Sequence, residues 1–414
     1  MKNQKLTKTK VNSLRILIPN ATGPRNIGDQ AMLEVLIDLI KGVHKDASIT
    51  VHSTDPNMYK NGSYKTKHTL YSWSVYRETE ITSRITNVSK LVIQYALLKL
   101  GIKSLRIDKG LDNLIRDYEN ADLIVFVGGG YLRSKKGIKQ TLNLAMQLLL
   151  FRYAELFSAR KIVAPISIGP FGYKWLEKIV ANELKQMDLV AVREEYSYKI
   201  LKKYKLKNII LSSDHALMIK KINKKRTESK LTFGFTIREW LKGEKHTNFE
   251  NIFTETIHEF SQFTGAKIQP IVQVDASKYG EDDALTTKRV VAKLKSKNIY
   301  VLKTKTLHNV RDALGVYSTV DLLLGMRMHS NILAAIQGTP FVAISYEHKT
   351  EGIAKQLNME KNCIKYENVD SKNLYKLLID AYENKRDIKK QLLHSVKTIQ
   401  DNETQKWNHY LSQD

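Results

Sequence analysis

Around Leu322, Leu323 and Leu324 a short apolar run meets Gly325, and a helically periodic stretch follows until Gly338 and Pro340. A run so short and apolar suits a strand buried on both faces, as in a parallel sheet. Gly325 permits a tight turn, Ser330 or Asn331 can cap the helix, and Gly338 with Pro340 stops it. The same strand–turn–helix succession recurs along the chain, and parallel strands joined by crossover helices are its economical assembly. Strands are expected over 14–18, 48–53, 121–127, 161–168 and 189–192, with helices after Asp29, up to Leu100, and over 142–158, 174–186 and 197–204. Residues 219–230 are charged, lack an apolar face and read as a linker. A second series follows, with strands over 231–237, 267–272, 300–302, 320–324 and 341–345 and helices between them. The expected fold class is α/β: two doubly wound, Rossmann-like domains facing each other across a cleft. They cover 12–222 and 231–385, and 386–414 form a C-terminal helical tail. Ligands are expected at the carboxyl ends of the strands. Residues 1–11 are expected to be disordered.

A length of 414 residues accommodates two cores. The single cysteine, Cys363, excludes an internal disulfide and fits a reducing compartment. The basic N-terminus has no apolar segment behind it, so no signal peptide is expected. Lys99 interrupts one apolar stretch, and Arg152 with Glu155 another, so neither spans a bilayer. These features point to a cytoplasmic protein that is soluble or peripheral on the inner face of the plasma membrane. The net charge of +25 has three candidate partners: nucleic acid, an anionic membrane or anionic substrates. Zinc-finger spacing, aromatic RNA-binding signatures and basic zippers are lacking, so no nucleic-acid partner is expected. A lysine-rich solvated surface is one reading. The other is weak association with anionic lipid, where each basic residue contributes roughly 1 kcal/mol.

Five segments at expected strand ends carry candidate chemistry, besides Arg327 and His329 beside the helix that opens after Gly325. Asn26, Gly28 and Asp29 lie between the first strand and first helix: Gly28 permits close backbone approach, while Asn26 and Asp29 are equally good turn and helix-start residues. Gly128, Gly129 and Gly130 form a glycine loop without a dinucleotide or phosphate-loop fingerprint, and close strand–helix packing also explains them. Ser167, Gly169 and Pro170 end another strand. Arg193 points into the cleft or pairs with Glu194 or Glu195. Arg238 ends the first strand of the second domain. Arg327 either serves an anion at the helix N-terminus or pairs with a nearby carboxylate. No His/Cys/Asp cluster argues for a metal.

In order, Asn-x-Gly-Asp-x-Ala, Gly-Gly-Gly-x-Leu, Ser-x-Gly-Pro, Val-Arg-x-x-x-Ser, Ile-Arg, Gly-x-Arg-x-His-x-x-x-x-Ala and Gly-x-Pro resemble the polysaccharide pyruvyl transferases, from about residue 14 to residue 360. The resemblance implies a fold like that of GT-B glycosyltransferases. It also implies transfer of the pyruvyl group of phosphoenolpyruvate, as a ketal, to two hydroxyls of a sugar in a cell-envelope polysaccharide or its lipid-linked precursor. Arg238, Arg327 and His329 would then belong to the phosphoenolpyruvate site of the second domain, with Met328 and Ser330 beside them, and the first domain would be the acceptor side. Met328 stands where relatives often have leucine, a swap of similar volume. Asn26, Gly28, Gly129, Gly130 and Arg193 complete the expected substrate-binding set. Phosphoenolpyruvate is a co-substrate, so no cofactor is required. Two guanidiniums suit a carboxylate and a phosphate better than one lysine. His329 is the expected proton donor to the methylene carbon, and Asp29 or Asp214 the expected base. His215 and His348 read as structural or peripheral. The alternative function is a nucleotide-sugar glycosyltransferase, which needs an acid soon after the anion-binding helix start to grip a ribose; none occurs before Glu347.

Overall fold

The computed structural model describes residues 13–23, 25–59, 64–75, 80–223, 230–241, 243–276 and 281–413. The first domain runs β1 (Arg15–Ala21), α1 (Ile27–Val43), β2 (Ser48–Ser53), β3 (Lys65–His68), α2 (Leu70–Val75), α3 (Ile81–Lys99), α4 (Lys109–Asn120), β4 (Leu123–Phe126), β5 (Gly129–Ser134), α5 (Ile138–Glu155), β6 (Arg160–Phe171), α6 (Lys174–Leu184), β7 (Leu189–Val192), α7 (Glu195–Lys203) and β8 (Ile209–Leu211). The second runs β9 (Thr232–Thr236), α8 (Glu244–Thr264), β10 (Lys267–Val272), β11 (Asp275–Ala276), β12 (Glu281–Asp282), α9 (Ala284–Ser296), β13 (Lys305–Thr306), α10 (Val310–Tyr317), β14 (Leu322–Gly325), α11 (Met328–Gln337), β15 (Phe341–Ser345), α12 (His348–Gln356), β16 (Cys363–Lys365), α13 (Ser371–Glu383) and α14 (Lys385–Ser412).

Both main sheets are parallel, as the wholly apolar strands require. One has the order β3-β2-β1-β4-β6-β7-β8, with β5 also on β6; the other has β13-β10-β9-β14-β15-β16. The architecture is α/β with two doubly wound sheets, as expected. The short polar or interrupted elements are where sequence pattern and structure part. β3, β8, β16 and α4 escape the hydrophobic pattern because they are short or amphipathic at an edge. The strand expected over 300–302 is reduced to a single bridge between Val301 and Ile268, and the edge strand forms at β13 instead. The glycines after β4 do not lead into a helix. β4 pairs with β6 at residues 160–163, and β5 continues along the same edge at residues 166–171. A Cβ on Gly128 would lie 2.3 Å from the Pro165 carbonyl oxygen, so only glycine fits this break.

The C-terminal helix packs against both domains. α14 returns from the second domain across the first, burying Leu392, Val396, Trp407 and Leu411 in a core shared with α1 and α11. The Trp407 indole donates to Ser212 Oγ at 3.1 Å, and the Gln400 amide donates to the carbonyls of Leu217 and Ile219, both at 2.9 Å. Truncating so large a buried side chain costs about 3–5 kcal/mol, so this helix is a strut between domains. Of the expected linker, 219–223 are described and 224–229 lie outside the described residues, as do 1–11.

Candidate functional site

The carboxyl ends of β1, β4, β7, β9, β10, β14 and β15 converge on one cavity of about 200 Å³ between the domains. Asn26, Asp29, Gly129, Gly130 and Arg193 come to it from the first domain, and Arg238, Arg327, Met328 and His329 from the second. Nine residues from distant parts of the sequence thus share one wall or the other.

The second-domain wall is tightly organised. Arg327 caps α11 and donates through Nε and Nη2 to the buried Asp283, with Nη2 at 2.6 Å from Oδ1. Both readings of Arg327 therefore hold: it lines the cavity and it has a carboxylate behind it. Burial raises the Asp283 carboxyl above its ordinary range against the pull of Arg327. The helix starts at Met328, earlier than expected, and neither Ser330 nor Asn331 caps it. Ser330 is fully buried, its hydroxyl 2.9 Å from Thr236 Oγ1 and 2.6 Å from the Arg327 carbonyl. The Ser330 and Asn331 N–H groups already donate to Arg327 O, at 3.0 and 3.4 Å. Ser330 is thus removed from the expected contact set, and Met328 and His329 supply the first-turn N–H groups.

Arg238 differs from its neighbours. It forms no ion pair among the described residues, sits 5.0 Å from the Tyr346 ring centroid and donates to Tyr346 Oη at 3.1 Å. Its Nε is buried without a hydrogen-bond partner, as is Nε2 of Gln273 on the same wall. Buried donors left unsatisfied cost about 1–3 kcal/mol each, and a bound anion would relieve that cost.

His329 is held from two sides. Its Nε2 lies 3.5 Å from Asp214 Oδ2, without an aligned hydrogen bond. A Cβ on Gly28 would fall 1.9 Å from His329 Nδ1, so Gly28 does not line the cavity; its missing side chain makes room for the imidazole. Asp214 is fully buried behind the site, 2.5 Å from Arg193 Nη1. Burial by itself would raise its carboxyl, yet Arg193, His329 and the Ala216 N–H hold it well below the ordinary carboxylate range. A carboxylate that is buried, paired and weakly basic suits orienting His329, not accepting a proton from substrate. Of the two expected bases only Asp29 reaches the cavity, where it accepts from Thr22 Oγ1 at 2.9 Å.

The remaining motifs lock this arrangement. Arg193 pairs with Asp214, not chiefly with Glu194 (3.9 Å) or Glu195, and donates through Nε to Ser167 Oγ at 2.7 Å. Ser167 in turn donates to Glu194 at 2.8 Å, and Ser197 accepts from the Ile168 N–H at 2.7 Å. The serines of Ser-x-Gly-Pro and Val-Arg-x-x-x-Ser therefore clamp the β6 and β7 ends. His215 packs edge-on against Trp407, its pKa pushed down to about 4 by burial, and His348 stacks near Tyr196; neither lines the cavity.

Arg133, Lys349, Tyr346 and Gln273 also line the cavity, beyond those expected. Lys349 and Tyr346 follow the carboxyl end of β15, so the strand-end rule could have found them. Arg133 crosses the cleft to pair with Glu347, which also meets Lys349 at 2.7 Å. Burial would raise the Glu347 carboxyl, but Lys349 and Arg133 bring it down to about 2.

The sequence profile of the polysaccharide pyruvyl transferases matches residues 26–348. The amylovoran biosynthesis protein AmsJ of Erwinia amylovora is 22% identical, across 92% of this chain and 95% of its own. Among solved structures, Anabaena HepE in complex with UDP and glucose superposes with a TM-score of 0.58 at 11% identity, covering 96% of this chain and 98% of its own. A putative UDP-N-acetylglucosamine 2-epimerase from Listeria monocytogenes gives 0.59 at 10% identity, covering 97% and 98%. At such identities the likeness is one of fold, that of the GT-B glycosyltransferases.

Proposed function

The chain belongs to the polysaccharide pyruvyl transferase family, and from that premise we propose that it moves the pyruvyl group of phosphoenolpyruvate onto two hydroxyls of an exopolysaccharide sugar, or of its lipid-linked precursor. One observation carries the donor assignment: Arg238 without an ion pair, the Arg327 fork and the orphaned donors on Arg238 and Gln273 face one cavity beside His329. Such a wall suits a small ligand with a carboxylate and a phosphate.

His329 gives a proton to the methylene carbon, leaving an oxocarbenium-like centre at the neighbouring carbon. A sugar hydroxyl attacks it while Asp29 takes the hydroxyl proton. The carbon–oxygen bond to phosphate then breaks, and phosphate carries away the proton held by Asp29. The second hydroxyl closes the ketal and returns its proton to His329. Asp214 and Gly28 set the imidazole position for both transfers. A positioned acid of this kind contributes typically 10²–10⁴-fold.

A nucleotide-sugar transferase would turn an acid soon after the start of α11 towards a ribose; the first acid after that start is Glu347, beyond β15, and it is engaged by Arg133 and Lys349. Among the described residues no helix is long and apolar enough to cross a membrane. A cytoplasmic, peripheral position on an anionic bilayer is the reading that best uses the charge of +25. It is supported by α3, which has no acidic residue and exposes Ile85, Val92, Ile93 and, just beyond its end, Leu100. The deciding experiment measures phosphate release from phosphoenolpyruvate with a panel of lipid-linked and model glycosides. Sugar transfer from a nucleotide donor, with phosphoenolpyruvate inert, would overturn the proposal.

A further inference from the structure

Beside the anion cavity lies a second depression of about 380 Å³, and the two share Thr22, Asn26, Asp29, Gly130, Tyr131, Arg133 and Val274. Its size falls within the roughly 300–1,000 Å³ of small-ligand sites. The outer wall is α5, which contributes Gln140, Asn143 and Gln147. Spacings of three and four residues bring these amides onto one helix face. None of the three makes a side-chain hydrogen bond to the protein among the described residues. Thr54 after β2 and the Tyr71 ring on α2 close the opposite side.

We propose that this depression is the acceptor subsite, and that the α5 amide row selects a neutral hexopyranose. The inference rests on the pyruvyl-transfer reading only for the word acceptor; the sugar site itself stands on the cavity. Each amide offers one acceptor oxygen and two N–H donors, the complement of a hydroxyl that both donates and accepts. A uronate or phosphosugar would call for an unpaired cation instead. Among the described lining residues Arg133 is already tied to Glu347, and Arg25 is a solvent-exposed cation at the rim, so neither is a desolvated charge set to grip an acid group. Asp29 stands on the shared wall, so a ring held against α5 presents its hydroxyls beside both Asp29 and the anion cavity. Gln140, Asn143 and Gln147 are thus binding and specificity residues, outside the proton-transfer machinery.

The test uses the full chain and a Gln140→Ala, Asn143→Ala, Gln147→Ala triple variant. Methyl hexopyranosides and methyl uronosides are titrated by saturation-transfer NMR, and phosphoenolpyruvate by calorimetry. Alanine favours helix at all three positions, so a matching melting curve verifies the fold. The wild-type protein should bind at least one neutral hexoside with millimolar affinity and the uronosides more weakly. The triple variant should lose hexoside affinity by about tenfold or more, the loss of two or so hydrogen bonds, and keep phosphoenolpyruvate. Unchanged hexoside affinity in the variant, uronosides binding as tightly, or no hexoside binding by wild type would each overturn it. Hexoside binding through α5 without phosphate release from phosphoenolpyruvate would sink the donor reading and leave the sugar subsite standing.

Discussion

The two walls of the cleft are built on opposite plans. On the second-domain wall, polar groups near the start of α11 are braced from behind: Arg327 by Asp283, Ser330 by Thr236, Asn331 by the Gly325 carbonyl at 3.2 Å. Beside the first-domain wall, in the adjoining depression, α5 presents amides that no protein group answers among the described residues. Internally satisfied polar shells fix a geometry, whereas unanswered amides wait for hydrogen bonds from outside. On the proposed function, the anion would meet the orphaned donors of Arg238 and Gln273 set beside a braced helix start, and the sugar would meet the freer amides of α5. Changes on the second-domain wall should therefore alter turnover or donor affinity, and changes on α5 only acceptor affinity.

The largest effect should follow His329→Gln. Turnover is expected to fall about 10²-fold or more while calorimetry still detects phosphoenolpyruvate, because the arginines hold the anion. In deuterated water the wild-type product should carry deuterium in the pyruvyl methyl group. Near-normal turnover in His329→Gln would reduce this residue to an anion ligand. Gly28→Ala should approach the same loss by pushing the imidazole from its seat, a displacement that a crystal structure of the variant would reveal.

Next comes Arg327→Lys, which keeps the charge but loses the planar fork that holds Asp283. Phosphoenolpyruvate affinity should weaken several-fold, to about tenfold, with acceptor affinity untouched. Unchanged donor affinity in both Arg327→Ala and Arg238→Ala would break the assignment of this wall to the anion.

Binding to anionic vesicles should be a smaller and screenable effect. Co-sedimentation is expected to decline as salt rises from 50 to roughly 300 mM, since the Debye length shortens. Salt-independent sedimentation, or none, would leave the charge to solubility and substrate attraction.

The smallest effect concerns the seam where the walls meet. The Glu347 carboxyl is held down at about 2 against an ordinary 4.5, so its pairs stabilise the fold fully above about 4.5. That contribution is lost as the pH falls towards about 2. The stability gap between wild type and Glu347→Gln, read by denaturant titration, should narrow over that window. A gap independent of pH would mean the ion pair across the cleft adds nothing.

Much of the site was legible because it sits where parallel strands end. Apolar runs located β1, β4, β7, β9 and β14, and the residues just after them, from Asn26 to His329, line the cavity or support it. Ser330 and Asn331 misled because both residue types favour helix caps, while buried partners on β9 and β14 claimed their side chains. Asp214 was visible only as an acid beside His215, and its role depends on Arg193 and His329 arriving from elsewhere. The α5 amides gave no signal, since Gln and Asn on the open face of a half-buried helix look like solubility.

By itself the sequence determined the parallel α/β layering, the two-series order and which strand ends carry charge, because these follow from local periodicity and turn chemistry. Only the tertiary structure decided that α14 straps the two domains together, that Arg133 meets Glu347 across the cleft, and that Gly28 vacates the volume His329 fills. Each of these depends on two segments far apart in the chain packing against one another, and no local pattern encodes that distance.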